Sequence, residues 1–255
     1  MQIDIAAPWL IAFMLVLARA LAWLMVVSPF SDRRVIPTMV TIGIAAGLAI
    51  LIAPRLEHTP LPTDTAGLVG ALVVQVATGL ALGFVVQLLI SAVTAAGSML
   101  DQVGGLTLPP SIDPLSLSQT SIMGQFYEQV VVLLLFATNG YLLMVDGFVR
   151  SFDGPGFSLH SAGTLASVVV TDLGVFFVSA LEMAGPVMVV LFAAQVVLAL
   201  LSKAAPQANV WLLGFPLQVF LVLVLVSLTI SLVPGYVANL LARGLGDGAR
   251  MFGVV

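Results

Sequence analysis

Between Asp101 and Ser121 the chain reads DQVGGLTLPPSIDPLSLSQTS, a stretch that no continuous helix can cross, set between two long apolar blocks. Gly104 and Gly105 are adjacent, and Pro109, Pro110 and Pro114 follow. Proline removes a backbone donor and clashes with the preceding helical turn, while paired glycines mark a turn or helix end. Irregular backbone of this kind leaves N–H and C=O groups that water or protein must satisfy, because lipid cannot.

The surrounding sequence makes that requirement acute. Hydrophobic residues make up 60% of the 255 positions and charged residues 8%, with a mean hydropathy of +1.18. Soluble domains carry about 25% charged residues, so the composition defines an integral membrane protein, and its block lengths predict an all-α one. The net charge of −4 is spread without runs, which excludes a basic nucleic-acid-binding arm. The absence of cysteine excludes disulfides, thiolate catalysis and Cys-ligated metals. Met1 to Pro8 carries Asp4 and no Lys or Arg, so it lacks the positive region of a cleavable leader, and the first apolar block is expected to remain in the mature protein.

Six apolar blocks are readable in order: 9–27, 40–53, 66–93, 123–148, 165–201 and 219–233. About 20 residues cross a hydrocarbon core of about 30 Å. Arg19 lies near the middle of the first block; its insertion cost of about 3 kcal/mol is offset by the apolar residues around it. It is expected to face protein or water, with a carboxylate or backbone carbonyls as partner. Gly43 with Gly47, and Gly79 with Gly83, form GxxxG pairs suited to close helix packing. Gln125, Glu128 and Gln129 share one helical face, a polar stripe expected to meet protein or a watery lumen. The block 165–201 spans 37 residues, too many for one crossing, and Glu182, Gly185 and Pro186 are where a kink or hairpin is expected. Pro234 to Val255 is mildly amphipathic and suits an interface. Under a six-crossing arrangement, Arg33, Arg34 and Lys203 oppose Arg55, Arg150, Arg243 and Arg250, too even a balance to orient the chain.

Catalytic signatures such as GxSxG, HExxH or a Gly-rich phosphate loop do not occur, so no enzyme, cofactor or metal site is expected. His58 and His160 both fall in connections. Asp101 and Asp113 are a conceivable aspartyl pair, but Asp113 precedes Pro114 and suits a turn cap better. One class the residues leave open is a secondary transporter, whose midplane substrate site would use Arg19, Glu182 and a helix broken at Gly185 and Pro186.

Several motifs together resemble the R component of the bacterial flagellar type III export apparatus, the FliR/SctT family, over nearly the whole chain. They are Arg19 followed by Pro29 and the Ile36–Pro37 turn; GSMLDQVGG at 97–105 with Asp113–Pro114; NGY at 139–141 leading to Ser151–Phe152; and LLSKAAPQANVWLLGFPLQ at 200–218. The chain departs from the family pattern at Lys203, Gln218 and Tyr141, where Arg, Lys and His are usual. The resemblance implies helical hairpins packed as a P-like part, residues 1–175, followed by a Q-like part, residues 176–255, with the join near 171–182. It implies a closed helical ring built with P and Q components, with neighbours in the B and A export components. Unfolded flagellar proteins would leave through that ring. The expected location is the bacterial inner membrane at the flagellar basal body, with the core raised toward the periplasm. It further implies that the central loop plugs the pore, through Gly104, Gly105, Pro109, Pro110, Asp113, Pro114, Ser116 and Ser118. Arg19, Gln125, Glu128, Lys203, Pro206, Gln207 and Asn209 are expected to serve helix and subunit packing.

Overall fold

A computed structural model of the chain describes residues 6–28, 30–31, 36–56, 64–106, 121–153, 159–205 and 210–251. Among these residues the fold is all-α: α1 (Ala6–Leu24), α2 (Thr38–Leu56), α3 (Thr65–Gly104), α4 (Ile122–Ala137), α5 (Gly140–Arg150), α6 (Leu159–Ala204), α7 (Val210–Thr229) and α8 (Val233–Met251). A single 3-10 turn, Ile230–Leu232, joins the last two. Among the described residues four helical stretches are long and apolar enough to cross a membrane: Thr38–Leu56, Thr65–Gly104, Ala166–Ala204 and Gly214–Gly244. The broken pair α4–α5 makes a fifth if counted as one span, and α1 belongs with the shorter apolar helices. The six apolar blocks of the sequence thus correspond to four or five candidate spans among the described residues.

Of the kink or hairpin expected inside residues 165–201, the hairpin does not form. Helix α6 runs 46 residues through Glu182, Gly185 and Pro186, and α3 runs 40. At 1.5 Å per residue these are about 69 and 60 Å long, roughly twice the hydrocarbon thickness. Length in excess of one crossing is accommodated by continuing the helix. The break falls instead in the block 123–148, at Thr138 and Asn139, where Asn139 takes left-handed dihedrals (φ 55°, ψ 24°). Asn tolerates that region better than most L residues, because its short polar side chain can bond locally.

The chain packs as two compact units. The first comprises Met1–Leu88, Asn139–Asp172 and Ala242–Val255. Here α1 packs on α2, burying Ala12, Leu15, Val16, Ala20 and Trp23 at three- and four-residue spacing. Gly79 and Gly83 let α3 approach the backbone of α1: a Cβ at Gly79 would run into the Arg19 carbonyl, and one at Gly83 would lie 3.0 Å from the Trp23 carbonyl. Gly43 and Gly47 face open space, so that GxxxG pair meets no partner among the described residues. Phe148 of α5 stacks on Trp23 at 4.8 Å and meets Phe152 edge-on at 5.4 Å. Gln87 accepts the Ser28 N–H at 2.8 Å, satisfying a donor in the turn after α1.

The second unit comprises Leu89–Thr138 and Leu173–Leu241. Its core draws Val93, Ala96 and Leu100 from α3, Tyr127, Val131 and Leu135 from α4, and Ala180, Ala184, Val187 and Leu191 from α6. Val222, Val226 and Val237 join them from α7 and α8. The α3–α4 hairpin closes tightly because Gly97 faces the Met123 carbonyl and Gly124 faces Ser98 and Ser121. Only 17% of the most apolar window of Ala166–Ala204 is buried within the chain, as is 17% of Gly214–Gly244. Their remaining apolar surface is left for lipid or for other proteins.

Candidate functional site

The base of the central loop is a closed hydrogen-bonded clamp. Asp101, fully buried in the last turn of α3, accepts the Ser121 hydroxyl at 2.5 Å and the Met123 N–H at 2.9 and 3.1 Å. Ser121 is the N-cap of α4, and its oxygen in turn accepts the Gly124 N–H at 2.9 Å. Two of the orphan donors of that helix start are thereby satisfied, and the carboxylate lies at the positive end of the α4 dipole. The sequence supplies the cap directly: Ser precedes an apolar helical run.

On the α3 side, Gly105 has φ +67° and the Leu106 N–H donates to the Asp101 carbonyl at 3.0 Å. This is a Schellman ending, which needs a residue at ease in the left-handed region. A Cβ on Gly105 would also lie 2.8 Å from Gln218 Oε1, and one on Gly104 would lie 2.6 Å from Val222. Gln195 of α6 donates to the Val103 carbonyl, another acceptor freed by the helix end. The clamp therefore holds positions 101 and 121 together and fixes where the intervening segment leaves the helices.

The predicted plug residues divide at this base. Gly104 and Gly105 form its α3 edge, whereas Pro109, Pro110, Asp113, Pro114, Ser116 and Ser118 lie outside the described residues. Lys203 is exposed in the last turn of α6; Pro206, Gln207 and Asn209 lie outside the described residues, as do His58 and the His160 side chain. Gln125 is exposed and Glu128 half-buried, away from the buried Met123, Tyr127 and Val131 face of α4.

Arg19 finds neutral partners. Its Nε donates to Gln75 Oε1 at 2.6 Å, and Nη1 donates to the Ser151 carbonyl at 2.7 Å and hydroxyl at 3.0 Å. The guanidinium also stacks 4.0 Å from the Phe152 ring centre. The carbonyl alternative is realised and the ion pair is not. Arg19 thus ties α1 to α3 and to the end of α5.

A third polar cluster was not anticipated. Arg243 Nε lies 3.5 Å from Asp172 Oδ1 and 3.6 Å from Asp247 Oδ2, with the Asp172 side chain 1% exposed. Asp172 sits in an apolar block and Arg243 in the amphipathic tail, so nothing local joins them. The spacing of Arg243 and Asp247 was the available signal. Among the described residues no group of three His, Asp or Glu is placed to hold a metal. The helix discontinuity that a transporter site required at Gly185–Pro186 is absent, since α6 is continuous.

An all-α membrane chain with a clamped polar loop between two apolar helices is the class the fold and site define. Residues 10–244 match the family "Bacterial export proteins, family 1", and the chain belongs to that family. It is 28% identical to the flagellar biosynthetic protein FliR of Bacillus subtilis over 233 residues, 89% of each chain. Against FliR of Escherichia coli the identity is 27% over 236 residues, covering 92% of this chain and 90% of the relative. The Yop proteins translocation protein T of Yersinia pestis is 25% identical over 219 residues, 84% of each.

Proposed function

We propose that this chain is the R-type subunit of a bacterial type III protein export gate, of the flagellar kind, and that it has no chemistry of its own. The flagellar relatives match it slightly better than the translocation protein does, which favours the flagellar machine. It assembles with P and Q components into a closed channel, next to the B and A components, and unfolded flagellar proteins cross the inner membrane through it. Residues 1–175 form the P-like part and 176–255 the Q-like part.

The observation that carries this reading is the Asp101–Ser121 clamp. A cell has little reason to secure both ends of a Pro- and Gly-rich loop with a buried carboxylate unless the loop must stay where it is put. We place the loop in the pore as a plug, with Pro109, Pro110, Asp113, Pro114, Ser116 and Ser118 in the lumen, where water meets the backbone's needs. Two further features support an assembly. Helices of 40 and 46 residues outrun the bilayer, which suits a core raised toward the periplasm, and apolar faces of low burial suit partner helices. Arg19 acts inside the chain, while Gln125, Glu128, Lys203, Pro206, Gln207 and Asn209 pack between hairpins and subunits.

The test is co-purification from membranes that express all export components, followed by the mass of the intact complex. A tagged chain should recover P- and Q-type subunits in a fixed ratio and should not remain monodisperse when made alone. A chain stable by itself that binds a small solute would instead support a transporter.

A further inference from the structure

Glu182 lies three positions from the middle of the apolar stretch 166–204 and is exposed on a helix face shared with Val178, Leu181 and Val189. An ionised carboxylate at the centre of a span costs about 2.5–3.5 kcal/mol on insertion scales when it faces lipid. Among the described residues nothing offsets this cost. Glu182 forms no hydrogen bond or ion pair among the described residues, whereas Arg150 pairs with Asp146 and Arg243 with Asp172 and Asp247. Lys203 stands 21 positions further along the same helix, about 31 Å away.

Beside the carboxylate is a small open-sided pocket of about 60 Å³, which Tyr127, Pro186, Thr229 and Tyr236 help to line. That is room for two water molecules or the tip of one side chain. Its chemistry is a carboxylate, two phenols and apolar walls, with the Tyr236 hydroxyl unbonded among the described residues. An ammonium or guanidinium matches each of these: the carboxylate takes its charge, the phenol oxygen accepts a second N–H, and the rings offer their faces.

We propose that Glu182 and Tyr236 form a socket for a single Lys or Arg side chain of a neighbouring export subunit. This rests on the gate-subunit reading above and adds a specific point of attachment. The socket lies on the outside of a long, sparsely covered helix, so a partner helix can reach it without any movement of this chain. A neighbour's cation would remove the cost of the mid-span carboxylate, and the carboxylate would remove the cost of the neighbour's cation. Each subunit would then be less stable in the bilayer alone than in the assembly.

The experiment uses the complete apparatus in its host, with a tag on this chain. E182Q keeps shape and removes charge; it should cut the recovery of the neighbouring subunits about tenfold or more, the worth of one charged hydrogen bond. E182D should retain most of it. Recovery with E182Q equal to that of the unmodified chain would overturn the socket. If E182Q fails to accumulate in membranes, selection for restored motility in an E182K strain decides. A basic-to-acidic change in a neighbouring subunit supports the socket, and restoration only by changes within this chain overturns it. If the unmodified tagged chain recovers no export subunit at all, the gate-subunit reading falls first and the socket falls with it.

Discussion

Replacing Asp101 by Leu should loosen the loop base more than any other single change there. The fully buried carboxylate accepts from the part-buried Ser121 hydroxyl and, with both oxygens, from the buried Met123 N–H. A buried donor left without a partner costs about 1–3 kcal/mol, and the weakened N-cap adds about 1 kcal/mol. The total is about 2–4 kcal/mol, or roughly 4–16 °C in the unfolding midpoint for a chain of this size. Asp101→Asn keeps one acceptor and should cost about half as much. Ser121→Ala should cost about 1 kcal/mol, and the double variant Asp101→Asn/Ser121→Ala should cost less than the sum, because one bond is counted twice. Two assays report on this: the temperature at which the detergent-extracted complex loses its monodisperse peak, and the labelling rate of Ser118→Cys, introduced into a chain with no native cysteine. Asp101→Leu should lower the first and raise the second. A variant within about 0.5 kcal/mol of the parent chain, with unchanged labelling, would refute the clamp.

Close helix approach gives a paired prediction. Gly79→Leu should prevent accumulation of folded protein in membranes, because its Cβ alone meets the Arg19 carbonyl, whereas Gly47→Leu should leave the isolated fold intact, since nothing lies within 4 Å. Arg19→Leu should strand the Ser151 carbonyl and the Gln75 amide oxygen at a cost of about 2–4 kcal/mol, and Arg19→Lys, which lacks the fork and the stacking plane, should recover only part of it in a thermal-stability assay. Arg243→Ala leaves Asp172 and Asp247 facing each other without their cation. With the guanidinium 44% exposed, the cost should be about 2–3 kcal/mol after allowance for solvent screening, and adding Asp172→Asn should restore most of that stability.

The helix positions were legible because an apolar block of membrane length leaves the backbone no alternative to a helix. Their ends were not. Composition cannot distinguish one helix of 46 residues from a hairpin, and Pro186 left both a kink and a reversal open. Asn139 was visible as part of NGY, but not as the place where a span breaks. The two GxxxG pairs are identical as motifs, yet only Gly79 and Gly83 meet another backbone, since a motif records what a helix face permits and not what stands opposite. At the loop, the turn residues announced an irregular segment, and Ser121 was readable as a cap. The part played by Asp101 was hidden: a carboxylate at the end of one helix serves the start of the next, 20 positions away. Asp172 and Arg243 were hidden by a still larger separation of 71 positions.

The plug proposed above comprises residues 107–120 and would keep an assembled channel shut. Its most direct test is the permeability of membranes in which these residues are replaced by a short Gly–Ser linker, with Asp101 to Leu106 and Ser121 left in place. In a complex shown to contain its full complement of subunits, the leak of small ions and solutes should rise well above that of the unmodified gate. An assembled complex that remains as tight as the unmodified one would contradict the claim.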